Sequence, residues 1–219
     1  MLRIHKRFTH VGRVRTVAVG TLLALAVATS FGGILPGKAR LGGRTLDEWQ
    51  DIYGRTWLEN NLRTNDEKVG KVVLLDAPEA RGLGLPASRN VMLSTGDSLF
   101  LQLWALYGFD YGDGTSDPKQ ALEVFETLDI VVTVDGKTVI DSSNVLDYYS
   151  AFDFDPAIPF IGSISIAWFQ GIGMALTPLS PGTHTITLDV VNTEPLPPEA
   201  FPPYLQYHNT WNITVKPGR

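Results

Sequence analysis

Three aspartates spaced three and four residues apart, Asp110, Asp113 and Asp117, with Gly112 and Gly114 between them, are the nearest this sequence comes to a ligand centre. Hard carboxylate oxygens on a flexible loop are what a calcium ion takes. The run lacks the alternating ligands and terminal Glu of a known calcium loop. Asp117 also has a second explanation, because Asp117-Pro118 reads as the N-cap and first position of a short helix ending near Leu128. The expectation is a solvated turn, with calcium as the one cofactor worth testing. Asp153 and Asp155, on either side of Phe154, raise the same idea with fewer groups.

Other chemistries find less. Glycoside hydrolysis needs two carboxyl groups held across a cleft, and the 23 acids of the chain single out no pair. Two histidines follow the N-terminal segment. His184 falls on the apolar face of a strand, where a hydrogen-bonded core histidine is the usual case, and His208 falls on a polar face. No G-x-S-x-G, H-E-x-x-H, phosphate-loop or dinucleotide fingerprint occurs. No catalytic residue is nominated.

Aromatic residues are the richer signal. Trp104, Trp168 and Trp211 sit in strongly apolar strand patterns and are expected in the core. Tyr148, Tyr149, Phe152 and Phe154 differ, because residues 144–162 are aromatic, acidic and proline-containing without periodicity, and read as a long loop. The segment Pro195 to Tyr204 holds five prolines and presents Leu196, Phe201 and Tyr204. A stiff arm loses little entropy on docking, although a plain rigid crossover has the same composition. These seven side chains are the expected partner-binding residues. Asn212-Ile-Thr214 is formally a glycosylation sequon, relevant only in a eukaryotic secretory route.

The elements that must carry these groups are mostly strands. Thr45 and Glu48 have capping-box spacing, and Leu46, Trp49, Tyr53 and Trp57 then recur at helical intervals, predicting a helix from Thr45 to about Asn60. Lys71–Leu75 reads as a short strand and residues 76–89 as an irregular crossing. Asn90–Thr95 and Ser98–Tyr107 read as strands joined at Gly96-Asp97, the second apolar on both faces and therefore central. Asp129–Val134 and Thr138–Asp141 form a hairpin across Asp135-Gly136. Ser163–Phe169 alternates, with Ile164, Ile166 and Trp168 inward. A Pro-Gly corner at 181–182 precedes a strand with His184, Ile186, Leu188 and Val190 on one face. In the last strand, Trp211, Ile213 and Val215 point inward. About eight strands and their turns predict an antiparallel β-sandwich or jelly roll with one or two short helices.

The N-terminus speaks to location. Arg3, Lys6, Arg7, Arg13 and Arg15 precede 20 uncharged residues, 16–35, and no acid occurs before Asp47. A basic start, an apolar stretch and Ala26-Val27-Ala28 fit a secretory signal, while the same stretch is just long enough to span a bilayer as an uncleaved anchor. Export, to a periplasmic or extracellular space, is expected on either reading. The organisation is then residues 1–35 as signal or anchor, 36–44 as linker and 45–219 as one domain. Without residues 1–28 the chain carries 13 basic and 23 acidic residues, a net charge of −10. Such a surface suits neither nucleic acid nor anionic lipid. With no cysteine, stability must come from burial alone.

Several motifs recur together in a known pattern. They are Gly43-Arg-Thr-Leu-Asp-Glu-Trp49 with Tyr53 and Trp57, then Asn65 and Asp66, then Gly70 to Leu75. Next come Ser94 to Phe100, Leu128 to Gly136, Pro178 to Ile186 and Asn212 to Val215. In this order they resemble a family of uncharacterised secreted proteins, mostly bacterial, with a Trp-rich N-terminal helix and a β-sandwich. The resemblance spans nearly the whole exported part and implies a fold and a compartment; it carries over no catalytic residue. The chain departs from that pattern in lacking a cysteine pair before Lys71 and in its longer loop at 192–206.

Three function classes follow. The first is an exported non-catalytic protein that docks a protein partner through aromatic and proline-rich segments, as an accessory subunit of a membrane complex if the anchor is kept. The second is a carbohydrate- or matrix-binding module, which an exposed row of coplanar rings would favour. The third is a hydrolase. The sequence favours the first.

Overall fold

The computed structural model describes residues 32–79, 83–192 and 206–217. The apolar segment 16–31, Leu196, Phe201 and Tyr204 lie outside the described residues. The chain opens with helix α1 (Leu46–Glu59), which begins where its sequence says it should: Thr45 Oγ1 accepts from the Glu48 amide, and Glu48 accepts from the Thr45 amide. Such a reciprocal cap satisfies two orphan donors at once. Leu46, Trp49 and Tyr53 are buried and Trp57 half-buried, so the expected stripe is the packed one.

Ten strands follow among the described residues, with one more helix. They are β1 (Lys68–Val69), β2 (Val72–Leu74), β3 (Leu83–Ser94) and β4 (Ser98–Asp110), then helix α2 (Leu122–Glu126) and β5 (Leu128–Val134). The rest are β6 (Lys137–Ile140), β7 (Tyr149–Ile161), β8 (Ile164–Leu176), β9 (Gly182–Asn192) and β10 (Gln206–Lys216). Two five-stranded sheets result, in the orders β1-β2-β4-β8-β7 and β3-β10-β9-β5-β6. The expected antiparallel sandwich needs correction, because both sheets are mixed: β2 lies parallel to β4, and β3 parallel to β10. The cause is local. The turn at Gly96-Asp97 does not close a hairpin; it carries the chain from the second sheet into the first, so β3 and β4 never pair.

Two further expectations fail for physical reasons. Residues 76–89 do not stay irregular, since β3 starts at Leu83 and tolerates Pro86 as an edge strand. Residues 149–161, expected as loop, form β7, also an edge strand, and it pairs with β8 from Tyr149↔Ile172 to Ile161↔Ile164. Edge position again accommodates Pro156 and Pro159, whose missing N–H groups are not needed on the outer side. By contrast the Asp135-Gly136 hairpin forms as read, with both residues at positive φ, 51° and 76°.

The architecture has three layers. Helix α1 covers one face of the first sheet and the second sheet covers the other, which is why β4 and β8 are buried on both faces. Phe100 and Tyr107 both meet α1, against Trp49 and Trp57, although they stand an odd number of positions apart. A bulge between Gln102 and Trp104 makes this possible by switching the side on which alternate residues emerge. Phe125, just before β5, packs edge-on against Trp104 at 5.1 Å, midway along β4. The last residues of β4 therefore run past the second sheet, and the first sheet projects beyond it. That projection has its own small core of Phe154, Ile158, Ile166 and Phe169.

The two ends of the sandwich differ. The β3–β4 turn, the β5–β6 turn and the 177–181 corner between β8 and β9 gather at one end, the base. Residues 34–35 also join the base, pairing with Leu176 and Ala175. The end of β4 and the β7–β8 turn form the opposite end, the tip. Asn192 and Gln206, the ends of β9 and β10, point the same way as the tip.

Candidate functional site

The aromatic residues expected on a loop are placed by β7 instead. Tyr148 closes a 3-10 turn, Val145–Tyr148, and is buried; Phe154 is buried against Phe169 in the tip core. These two are corrected from exposed to interior: the 3-10 turn directs Tyr148 inward, and strand alternation under α1 does the same for Phe154. Tyr149 is half-buried, its ring edge-on to Phe125 at 4.7 Å and its hydroxyl accepting from Gln170 at 2.7 Å. Phe152 is half-buried and stacked on Phe169 at 5.5 Å. Of the four, only Tyr149 and Phe152 retain accessible surface of note.

A different aromatic set reaches solvent at the tip. Trp57 on α1 meets Tyr107 on β4 at 5.9 Å, Tyr107 meets Phe109 at 5.7 Å, and Phe109 meets Phe160 at 5.0 Å and Tyr111 at 6.3 Å. Exposure grows along this row, from half-buried Tyr107 to Phe160 at 60% and Ile161 at 66%. Sequence alternation hides it, because Tyr107 and Phe109 lie in a strand that looks wholly internal, and they are uncovered only where β4 runs past the end of α1. The rings are tilted by 45° to 84° against one another, so they make an irregular apolar surface and no flat stacking platform. Burial raises the Tyr107 phenol pKa. That of Tyr111 is raised mainly because it donates to Asp117.

The acidic loop rims this surface. Asp110 accepts from the Gly112 amide at 2.8 Å, and Asp113 accepts from the Thr115 amide at 2.9 Å and hydroxyl at 2.6 Å. Those Thr115 bonds hold the Asp113 carboxyl below its usual range. Asp117 is not a helix cap: it accepts from the Phe109 amide at 3.0 Å and from the Tyr111 hydroxyl at 2.9 Å, and α2 starts only at Leu122 behind Ala121. Asp110 and Asp113 are thus folded onto their own loop as Asx-type turns, while Asp117 ties the loop back to the end of β4. The described residues contain no group of three or more His, Cys, Asp or Glu side chains placed to hold a metal ion. Asp153 pairs with Lys119 at 2.8 Å, so its charge is locally balanced.

At the base, Ser180, His184 and Asp135 come together in the order of a nucleophilic triad, which no sequence spacing announces. His184 Nδ1 lies 2.7 Å from Asp135 Oδ2, and Nε2 lies 3.4 Å from Ser180 Oγ. The decisive contact is a third one, Nε2 to the Ser180 carbonyl at 2.9 Å. A carbonyl only accepts, so Nε2 carries a proton and cannot take one from the Ser180 hydroxyl. The constellation is a strut in the structure and does not activate a nucleophile. His208 makes a simpler cross-strand contact, Nδ1 to Asp189 at 2.8 Å, on an exposed face.

An open cleft of about 460 Å³ lies between α1 and β7, edged by Asp47, Asp51, Asp153 and Asp155 with Arg44 and Arg55. Arg55 occupies much of its chemistry, pairing with Asp51 at 3.1 Å and donating to the Asp155 and Pro156 carbonyls.

No protein-family model matches the chain, and no curated protein matches it. Among solved structures, the solution structure of amebosin is 16% identical over 58% of this chain and 88% of that one, with a TM-score of 0.23. The cysteine protease inhibitor EhICP2 from Entamoeba histolytica is also 16% identical, over 58% and 85%, with a TM-score of 0.23. PbICP-C, solved in complex with falcipain-2, is 15% identical over 68% and 100%, with a TM-score of 0.28. Likeness at these scores carries no argument about what this chain does.

Proposed function

We propose that this chain is an exported, non-catalytic binding domain that docks a protein partner through the aromatic tip. The observation that carries the reading is the β7–β8 turn, where Phe160 and Ile161 stand mostly in solvent beside Phe109 and Tyr111. Large apolar groups clustered in this way cost solubility unless something covers them. The tip core is already filled by Phe154, Ile158, Ile166 and Phe169, so the fold does not need them. The acids Asp110 and Asp113 beside the patch favour a partner with an apolar centre and a basic rim. Ring tilts between 45° and 84° weigh against a carbohydrate platform.

The N-terminal signal or anchor pattern makes the partner a component outside the cytoplasm, a membrane complex where residues 16–35 are retained. Leu196, Phe201 and Tyr204 extend the proposal, since β9 and β10 open toward the tip. A photo-crosslinking residue at position 111, used in solubilised membranes, tests the reading with and without a Phe160→Ser/Ile161→Ser pair. A partner captured by the parent, lost in the double variant at unchanged melting temperature, and no longer captured when salt is added before irradiation is the expected result. Capture that survives the double variant, or that a soluble oligosaccharide competes away, overturns it.

A further inference from the structure

We propose that His184 is a proton-operated strut, which clamps the β8–β9 corner to the β5–β6 turn while both ring nitrogens are protonated and releases it when one proton leaves. The geometry is unambiguous about what the ring faces. Nδ1 points at a carboxylate oxygen of Asp135, 2.7 Å away, and Nε2 at the Ser180 carbonyl, 2.9 Å away. Both are acceptors, so both nitrogens must donate, and only the imidazolium has two N–H groups. Asp135 cannot swing away to relieve the demand. Its other oxygen accepts from the Thr185 amide at 2.8 Å, and its own amide donates to the Thr185 carbonyl at 2.8 Å.

The surroundings keep this equilibrium simple. From the β5–β6 turn the ring meets Asp135. From the corner it meets Ser180, which is uncharged, and across the sheet on β10 its register partner is Ile213. Asp135 supplies the one side-chain charge acting on the ring among the described residues. Burial is the largest single influence and disfavours the imidazolium. The Asp135 hydrogen bond, the Ser180 carbonyl and the Asp135 charge together outweigh it, so the pKa lies above the ordinary 6.5. A folded-state pKa above the unfolded one means a stabilisation that is complete below the unfolded value. That stabilisation is lost as pH rises through the folded value.

Loss of a proton to solvent leaves a neutral ring whose remaining N–H stays with the stronger acceptor, the Asp135 carboxylate. Nε2 then turns a lone pair toward the Ser180 carbonyl, a contact that must open. The Ser180 hydroxyl, 3.4 Å from the same nitrogen, can donate in its place only if the corner shifts. That corner follows directly on Thr177, whose amide and hydroxyl both donate to the Gly33 carbonyl, while the Leu35 amide donates to Ala175. The strut therefore governs how firmly residues 33–35 are held on β8, and so the base of the domain where the N-terminal segment joins it.

The test uses the full chain. An NMR titration follows the His184 ring while hydrogen exchange follows the Leu35 and Thr177 amides, each as a protection factor relative to a β4 amide. His184 should titrate above about 6.5, and protection at the two amides should fall with the same midpoint, by about tenfold for each unit that the pKa is raised. Asp135→Asn should lower the midpoint and flatten the change. Ser180→Ala keeps the carbonyl but removes the alternative donor, and should deepen the loss at high pH without altering the low-pH state. A ring that titrates at or below about 6.5, or protection that is the same on both sides of the midpoint, overturns the proposal from the unsubstituted chain alone.

Discussion

Trp168 on β8 donates its indole N–H to the carbonyl of Asp117 at 2.8 Å, bolting the acidic loop to the outer face of the projecting sheet. The ring lies flat over Gly108 on the neighbouring strand, where any Cβ would run into the indole. One glycine thus decides whether the far half of β4 can be covered at all.

Gly108→Ala should therefore lift Trp168 from its seat. Overpacking of this kind typically costs about 1–3 kcal/mol. Denaturant melts should show a loss in that range together with a red shift of tryptophan emission. An unchanged midpoint would mean that the loop is not anchored by this contact.

Trp49→Ala and Trp57→Ala separate two parts of the helix interface. Trp49 is fully covered and donates to the Leu41 carbonyl at 2.8 Å, so its loss should cost about 3–5 kcal/mol. Trp57 is half-buried at the tip, and its loss should cost less. Asp113→Ala, on an exposed turn, should stay within about 0.5 kcal/mol. Thermal melts of the three, run with and without a calcium chelator, provide the comparison. A chelator effect that disappears in Asp113→Ala would show that the acidic loop holds calcium after all.

Thr45→Ala removes the side-chain half of the capping box, leaving the backbone N–H from which Glu48 accepts, and should cost about 1 kcal/mol. The Glu48 half adds a pH dependence of defined sign. The Thr45 bonds hold the Glu48 carboxyl below its usual range, so the contribution is present above the ordinary carboxylate pKa and fades as pH falls through the depressed one. Asp113 and Asp141, lowered by Thr115 and Ser143, act in the same direction. Acid melts should thus be flatter in Glu48→Gln than in the parent chain. All three carboxyls are solvent-exposed, so salt should weaken the effect.

Much of the scaffold is legible from residues because its signals are local. Thr45 and Glu48 mark a helix start three residues apart, Asp135-Gly136 marks a hairpin, and alternation from His184 to Val190 marks a strand that is buried on the expected side. What escapes the sequence is decided at long range. β7 hides because an edge strand beneath a helix may carry prolines and aromatics without regular alternation. The parallel pairing of β3 with β10 leaves no trace in composition. Asp117 is drawn away from its cap position by Phe109, and Asp135 finds His184 from 49 residues away. The tip itself depends on how far the first sheet runs past the end of α1, which no window of residues encodes.

The separation of base and tip has an electrostatic consequence. Strand β8 runs the whole way between them, from Leu176 beside Ile34 to Ile164 at the β7–β8 turn, and at about 3.3 Å per residue its 13 residues span about 40 Å. The screening length at physiological salt is about 8 Å, so a charge fixed near Gly33 is muted roughly five times over before it reaches Phe160. Cationic tags, lipid headgroups or a support attached at the base can change how the domain is held in space. They leave the field sensed by an approaching ligand to be written locally, by the acidic loop of Asp110, Asp113 and Asp117 and by the Asp153–Lys119 pair.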